Sequence, residues 1–325
     1  MRIWIAGTGL VSVLGRGWPR EAGPGQVLTE LVGDGQWPVY RVPREAVGDV
    51  EGHARLRRSG LISLYSVGAA TDAVRNLPDG SLRDTKLFFA TTDGGIIHTV
   101  RFYSRVVQGG CGAGSPLIFP ETVYNAPASH VASILGMRGE AVTLVGDSSV
   151  GLGGVCAACE LIADGRTETA LVVAANECDA VACAAYGHHG ICAQRVGSGL
   201  PIMSEGAAAV VLSGQRLGAG GGWRVESWCE WVPVRRKSEA RGALEGILAR
   251  LGYGGGPLFA HVTWRCAPWD ELPGICGLPG EGLAFTDLAQ VFAHDCDKVG
   301  RGEFCLVSLG YHGQCAGLRM RWEGD

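Results

Sequence analysis

A junction between a strand and a helix in the middle of the chain constrains the fold most strongly. The apolar segment 141–145 predicts a β-strand, and it runs directly into Gly146-Asp147-Ser148-Ser149. Apolar residues then recur at helical spacing up to Asp164-Gly165, which predicts an α-helix with one buried face. Alternation of this kind is typical of layered α/β folds. Ser148 is therefore predicted to lie at a turn between a strand and a helix.

The same alternation continues along the whole chain. Strands are predicted at 2–6, 87–90, 170–175, 207–212, 224–231, 258–263, 304–309 and 318–322, and helices at 59–74, 240–251 and 286–295. A glycine-rich stretch at 214–222 interrupts the pattern, which then restarts. We therefore predict two α/β halves, residues 1–216 and 217–325, rather than one continuous sheet.

The composition favours a folded protein that binds neither nucleic acid nor a membrane surface. Hydrophobic residues make up 46% of the chain, and the net charge of −4 includes no long run of like charges. The sequence contains no run of about 18 apolar residues, so no transmembrane helix is predicted. Gly7 and Gly9 interrupt the apolar N-terminus, which favours a first strand over a signal peptide. The 12 scattered cysteines predict reduced thiols and a cytoplasmic location.

Two residues are candidates for catalysis. Ser148 follows a strand and precedes a helix, where free N–H groups stabilise negative charge, but a serine that caps the helix would occupy the same place. The surrounding sequence misses the G-x-S-x-G elbow of α/β-hydrolases by one position. His261 ends an apolar strand, which is compatible with a catalytic or a structural histidine. The residues alone leave both alternatives open.

No metal or cofactor is predicted. Cys156 and Cys159 form a C-x-x-C pair, but they lie in the predicted helix without a second pair, which favours core packing. His188 and His189 are flanked by glycines, which favours a loop. The glycines after the first strand resemble a dinucleotide-binding fingerprint, but Ser12 stands in place of its third small residue.

Several segments together resemble the β-ketoacyl synthase family. They are Ile5–Gly15, Asn125–His130, Gly136–Gly139, Ser204–Ala208, Ala260-His261 and Leu309–Gly313, the last being similar to the family's F-G-F-G-G loop. From His130 to Gly165 the family pattern can be laid on this sequence without a gap, and the family's catalytic cysteine falls on Ser148.

This resemblance implies a thiolase-like fold, with two similar βαβαβαββ halves in a layered α-β-α-β-α structure. It also implies that Ser148 accepts an acyl group, that His261 is the first catalytic histidine, and that the backbone N–H groups of Ser148 and Tyr311 form an oxyanion hole. The expected acyl donor is an acyl-carrier-protein or coenzyme A thioester. A homodimer, or a heterodimer with a ketosynthase, is expected to form through residues 142–146 and 109–128.

The departures from the family pattern are equally informative. A serine needs an adjacent base, whereas a cysteine thiolate requires only a modest shift in pKa. Gly146-Asp147 replaces the family's Thr-Ala, and the K-x-x-x-G-H motif of the second histidine is absent. His294 could replace that histidine by position only.

Two functions are therefore expected. The first is a β-ketoacyl synthase-like acyltransferase in fatty-acid or polyketide biosynthesis, with Ser148 as acyl acceptor. The alternative is a non-catalytic subunit resembling a chain-length factor, which pairs with an active ketosynthase. An α/β-hydrolase and a nucleotide-binding protein are the remaining alternatives.

Overall fold

The computed structural model describes residues 2–17, 29–32, 37–78, 80–195, 198, 200–217, 221–263, 266–273, 284–289 and 302–324. The strands in these ranges are β1 (Ile3–Ser12), β2 (Gly15–Arg16), β3 (Thr29–Val32), β4 (Trp37–Tyr40), β5 (Lys86–Thr91), β6 (Ala141–Val145), β7 (Thr169–Asn176), β8 (Met203–Ser204), β9 (Gly206–Ser213), β10 (Gly222–Pro233), β11 (Leu258–Val262), β12 (Glu303–Leu309) and β13 (Gln314–Glu323). The α-helices are α1 (Gly48–Glu51), α2 (Leu61–Val74), α3 (Ile96–Gly109), α4 (Ala126–Ile134), α5 (Val150–Ala163), α6 (Ala180–His188), α7 (Ala240–Leu251) and α8 (Ala284–Ala289).

Ten strands form one large mixed sheet. Their order is β11-β12-β13-β10-β1-β9-β7-β5-β6, and β2 pairs with β1 beside this path. Strands β6, β5 and β7 are parallel, whereas β9 runs antiparallel to both β7 and β1. Every residue of β9 is buried, which explains its continuous apolar sequence. A separate small sheet has the order β3-β4-β8.

The C-terminal strands repeat the arrangement of the N-terminal strands. The path β1-β9-β7-β5 has antiparallel, antiparallel and parallel pairs, and the path β10-β13-β12-β11 has the same sequence of directions. This repetition agrees with two similar halves. Within the described residues the second half has no counterpart of β6, so it contributes four strands rather than the five of a complete βαβαβαββ unit.

The two halves share hydrogen bonds through the first residues of β1. Ile3 and Trp4 pair with Val225 and Arg224 of β10, and a register irregularity follows between Ile5 and Gly7. The strands therefore form a continuous path, which differs from the predicted separate sheets because β1 pairs with β10 on one edge and with β9 on the other. The division into residues 1–216 and 217–325 stays a prediction.

Helix α5 lies between strands of the two halves. The Cys156 thiol contacts the carbonyl oxygens of Cys229 in β10 and Gly317 in β13, each at 3.7 Å. On the N-terminal half, a Cβ added at Gly154 would lie 3.1 Å from Val172 of β7. Ten residues of the helix are buried, so it packs on more than the single face predicted from its spacing. A helix between two groups of strands is the central layer expected for the predicted fold.

Most predicted elements are present with small changes in their ends. Strand β6 has the predicted bounds, and α2 begins at Leu61 instead of residue 59. The predicted helix at 286–295 corresponds to α8, and its part beyond residue 289 lies outside the described residues. Within the ranges given above, none of the helices is long and apolar enough to cross a membrane.

Candidate functional site

Ser148 lies in the turn between β6 and α5, where the sequence predicted it, and its side chain is fully buried. The N-cap of α5 is the next residue, Ser149, which makes no capping hydrogen bond through its side chain. The Ser149 hydroxyl instead donates to the carboxylate of Asp147 at 2.7 Å. Ser148 is therefore not the N-cap of α5, and the prediction that it caps the helix is wrong.

The hydroxyl of Ser148 is hydrogen-bonded to another hydroxyl. Ser148 Oγ lies 2.5 Å from Oγ1 of Thr263, which directly follows β11. The backbone N–H of Thr263 donates to the carbonyl of Leu309 at the end of β12, at 3.0 Å. This fixes Thr263 against the serine. A threonine hydroxyl is not a base, so this contact cannot take the serine proton in the way that nucleophilic catalysis requires.

His261 faces a buried carboxylate that the sequence did not reveal. Its Nδ1 lies 3.3 Å from Oδ1 of Asp287 on α8, and both side chains are buried. Oδ2 of Asp287 accepts a hydrogen bond from the backbone N–H of Leu152 in the first turn of α5, at 2.5 Å. His261 is thus linked to α5 through Asp287. The sequence signal for Asp287 was an acidic residue within the otherwise uncharged stretch 284–289.

Asp147 connects the loop after β12 to the Ser148 turn through hydrogen bonds. Its Oδ2 accepts hydrogen bonds from the backbone N–H groups of His312 and Gln314, each at 3.1 Å, and its Oδ1 accepts from the N–H of Ser149 at 3.0 Å. The Asp147 N–H in turn donates to Oε1 of Gln314 at 3.1 Å. Burial raises the pKa of the Asp147 carboxyl, while the hydrogen bonds from Ser149, Gln314 and His312 oppose that shift. The departure from Thr-Ala therefore has a structural role.

Two backbone N–H groups at this site remain available. In the part of the chain that the structure describes, the N–H groups of Ser148 and Tyr311 have no hydrogen-bond acceptor. Ser148 precedes the N-terminus of α5, where the helix dipole favours negative charge. These are the two groups predicted as oxyanion donors, and that role stays a prediction.

A cavity of about 1070 Å³ opens beside the site. Gly146, Thr263 and Tyr311 contribute to its wall, whereas Ser148 and His261 do not. Its apolar lining consists of Ile96, Val181, Ala182, Ala185, Ile191, Leu200, Pro201 and Val262. The exposed side chains of His189 and Lys237 also line it, which indicates that they lie at its mouth. The cavity is large enough for an acyl chain.

Of the other histidines and cysteines named from the sequence, His189 lines the cavity. His294 lies outside the described residues. Cys156 and Cys159 are buried in α5, and the rings of His188 and His189 are in edge-to-face contact, with their centroids 5.4 Å apart. Within the described ranges, no three His, Cys, Asp or Glu side chains are grouped so that they could hold a metal ion.

Comparison with known proteins shows which proteins share this fold and which family model matches part of the chain. Solved ketosynthases share the fold of nearly the whole chain. Residues 77–217, which contain the Ser148 turn, match the family model "Beta-ketoacyl synthase, N-terminal domain". The resemblance seen in the sequence is thus confirmed. A comparison with curated proteins gives no match.

Three solved structures illustrate the likeness. A chain of the ishigamide ketosynthase/chain length factor has a TM-score of 0.76 and 19% identity, with 100% of both chains covered. A β-ketoacyl synthase from Burkholderia phymatum STM815 has a TM-score of 0.77 and 16% identity, covering 98% of this chain and 99% of that chain. The third is a chain of AntDE:AntF, a type II polyketide synthase acyl-carrier protein in complex with its ketosynthase bound to the hexaketide. It has a TM-score of 0.74 and 14% identity, covering 98% of this chain and 99% of that chain. These matches confirm the predicted thiolase-like fold.

Proposed function

We propose that the chain is a non-catalytic subunit, similar to a chain-length factor, that pairs with an active ketosynthase and helps to enclose its acyl chain. One observation carries this proposal. The hydroxyl at the position of the family's nucleophile is fully buried and hydrogen-bonded to Thr263, which is not a base. A serine nucleophile requires a general base within hydrogen-bonding reach.

The cavity supports a role in binding an acyl chain. It reaches Thr263 and Gly146 at the Ser148 turn, and much of its wall is apolar. In the AntDE:AntF structure the ketosynthase is bound to a hexaketide and to an acyl-carrier protein. By analogy, the chain enclosed here is carried as an acyl-carrier-protein or coenzyme A thioester. The free thiols of the described cysteines fit the cytoplasmic location predicted from the sequence.

The edge of the large sheet supports pairing with a ketosynthase. Strand β6 ends the sheet order and pairs only with β5 among the described residues. Its sequence contains no charge or proline, the usual means by which exposed edge strands avoid association. Exposed large apolar side chains occur in both segments predicted to form the interface: Leu117, Phe119, Val123, Tyr124 and Val145. A related subunit that presents its own edge strand would cover them.

A second candidate function is acyl transfer to Ser148. It is favoured by the available N–H groups of Ser148 and Tyr311, since each well-aimed oxyanion donor contributes about 3 kcal/mol to a transition state. Ser148 Oγ would attack the thioester carbonyl and pass its proton to His261, which would then give that proton to the departing thiolate of the carrier. This path requires the serine hydroxyl to leave Thr263 and turn towards His261.

Intact-protein mass spectrometry separates the two functions. The native chain, Ser148→Ala and Ser148→Cys are incubated with acetyl, butyryl and octanoyl thioesters of coenzyme A. We expect no adduct on the native chain. An adduct on Ser148→Cys alone would agree with the proposal, because a thiol needs less activation than a hydroxyl. An adduct on native Ser148 that Ser148→Ala abolishes would contradict the proposal and support the acyltransferase.

A further inference from the structure

The wall of the cavity contains a cluster of hydrogen-bonded polar side chains that have no role in the function proposed above. The Tyr186 hydroxyl donates to the carboxylate of Asp93, with 2.7 Å to each oxygen. The Thr92 hydroxyl donates to the same carboxylate at 3.0 Å and accepts a hydrogen bond from Asn176 at 2.6 Å. Thr92, Asp93 and Tyr186 all line the cavity, and Thr92 and Tyr186 are buried. This polar cluster therefore lies on the inner wall and not at the mouth.

Tyr311 lies at the end of this cluster and contacts it through Tyr186. Its hydroxyl oxygen lies 3.4 Å from that of Tyr186, and the two rings are in edge-to-face contact at 5.5 Å between centroids. The single phenolic proton of Tyr186 is already directed to Asp93, so Tyr311 must be the donor in this pair. A separation of 3.4 Å is long compared with about 2.7–2.8 Å for an ordinary O–H···O bond, so the bond is weak.

The Tyr311 hydroxyl is therefore a donor available to a molecule in the cavity. Burial raises the pKa of Tyr311 to about 12, so the phenol keeps its proton near neutral pH. An oxygen atom placed in the cavity at an ordinary hydrogen-bond distance would be a better acceptor than Tyr186. A saturated chain at the same place would desolvate Asp93 and the two phenols without replacing their contacts with water.

We propose that Tyr311, held in place by Tyr186 and Asp93, forms an oxygen-binding subsite that selects acyl chains bearing a keto oxygen over saturated chains. This inference rests on the proposed acyl-binding function and specifies its substrate class. The keto oxygen accepts the Tyr311 proton, while Tyr186 and Asp93 keep the ring in position. No covalent step is involved.

The test compares pantetheine thioesters of equal length by isothermal titration calorimetry on the full chain. The ligands are octanoyl-pantetheine and its 3-oxo, 5-oxo and 7-oxo derivatives. At least one oxo ligand is expected to bind about 10-fold more tightly than the octanoyl ligand, the effect of one good hydrogen bond. Tyr311→Phe should abolish this preference without weakening octanoyl binding. Tyr103→Phe, at an exposed tyrosine on α3 outside the cavity wall, is the matched control.

Three outcomes would overturn the inference. The first is that octanoyl-pantetheine binds as tightly as every oxo ligand. The second is that Tyr311→Phe weakens the binding of octanoyl-pantetheine and of the oxo ligands by the same factor. If that variant does not fold, Tyr186→Phe provides the same comparison, because Tyr311 then loses its anchor. A chain that binds none of the thioesters contradicts the proposed function as well. Acylation of Ser148 contradicts only the non-catalytic role and leaves the measured preference valid.

Discussion

At the scale of single residues, the buried carboxylate of Asp147 determines the geometry of the candidate site. It accepts hydrogen bonds from the backbone on both sides of the site, at Ser149 and at His312 and Gln314. Its position also explains the glycine opposite it. A Cβ added at Gly310 would lie 2.1 Å from the carboxylate atoms, so only glycine fits there while Asp147 is present.

We predict that Asp147 and Gly310 are energetically coupled. Asp147→Ala should lower the free energy of unfolding by about 3 kcal/mol, because several buried donors lose their acceptor. Gly310→Ala should lower it by about 1–3 kcal/mol through overpacking, and this cost should shrink in the Asp147→Ala background. Urea unfolding of the two single variants and the double variant measures the coupling. Asp164→Ala, at an exposed residue after α5, is the control. Strictly additive costs would show that the steric account is wrong.

Sequence reasoning located Ser148 but not its partner. The turn was predictable because a strand and a helix lie on either side of it within a short stretch of chain. Thr263 lies 115 residues away, and its contact with Ser148 depends on how the end of β11 lies against the turn before α5. His261 was a candidate general base in the sequence, but its contact with Asp287 could not be predicted there. Pairings of this kind depend on tertiary structure and leave little trace in local sequence.

At the scale of secondary-structure elements, Glu177 connects three of them. It directly follows β7, its Oε2 accepts a hydrogen bond from the N–H of Ile62 in α2 at 3.1 Å, and its Oε1 accepts one from Ile97 in α3 at 2.8 Å. Both N–H groups belong to the first turns of their helices, which lack intrahelical acceptors. Burial raises the pKa of Glu177 from 4.5 to about 7 despite these bonds.

This shift predicts a pH-dependent stability. The pKa of Glu177 is higher in the folded state than in the unfolded state. Glu177 therefore contributes fully to the free energy of unfolding below pH 4.5, and this contribution is lost as the pH rises towards 7. A shift of this size corresponds to about 3 kcal/mol. Unfolding free energies measured at several pH values should show that Glu177→Gln has a flatter profile than the native chain over this interval.

Glu245→Gln, at an exposed residue of α7, should keep the native profile and serves as the control. If Glu177→Gln and the native chain differ by the same amount at every pH, Glu177 does not titrate in this range.

The success of prediction at this scale depended on local sequence. Strand β6, helix α5 and strand β7 were predictable because each has a continuous or helically spaced apolar pattern. The small sheet of β3, β4 and β8 was missed, since its strands are short and β4 pairs with β8 from more than half the chain away. The pairing of β1 with β10 was missed as well, because it joins residues as far apart in the chain as Ile3 and Val225.

At the scale of the whole molecule, the chain combines a ketosynthase-like fold with a buried Ser148 hydroxyl that is hydrogen-bonded to Thr263. The cavity reaches the Ser148 turn, but Thr263 stands in its wall while Ser148 and His261 do not. Strand β6, at the end of the sheet order, carries no charged residue, and it is the edge proposed to face the partner subunit. Under the proposed function, the chain shapes the space for an acyl chain while a ketosynthase partner performs the chemistry.

The most direct test of this account is reconstitution with a ketosynthase encoded in the same genome. The ketosynthase is assayed alone, with the native chain and with Ser148→Ala, using malonyl-loaded acyl-carrier protein and following product formation by mass spectrometry. Stable association should be established first by co-purification. We predict that product formation requires the chain and that Ser148→Ala supports the native rate and product length. A Ser148→Ala chain that still associates but reduces product formation by 10²-fold or more, the scale of a lost catalytic group, would contradict the non-catalytic role.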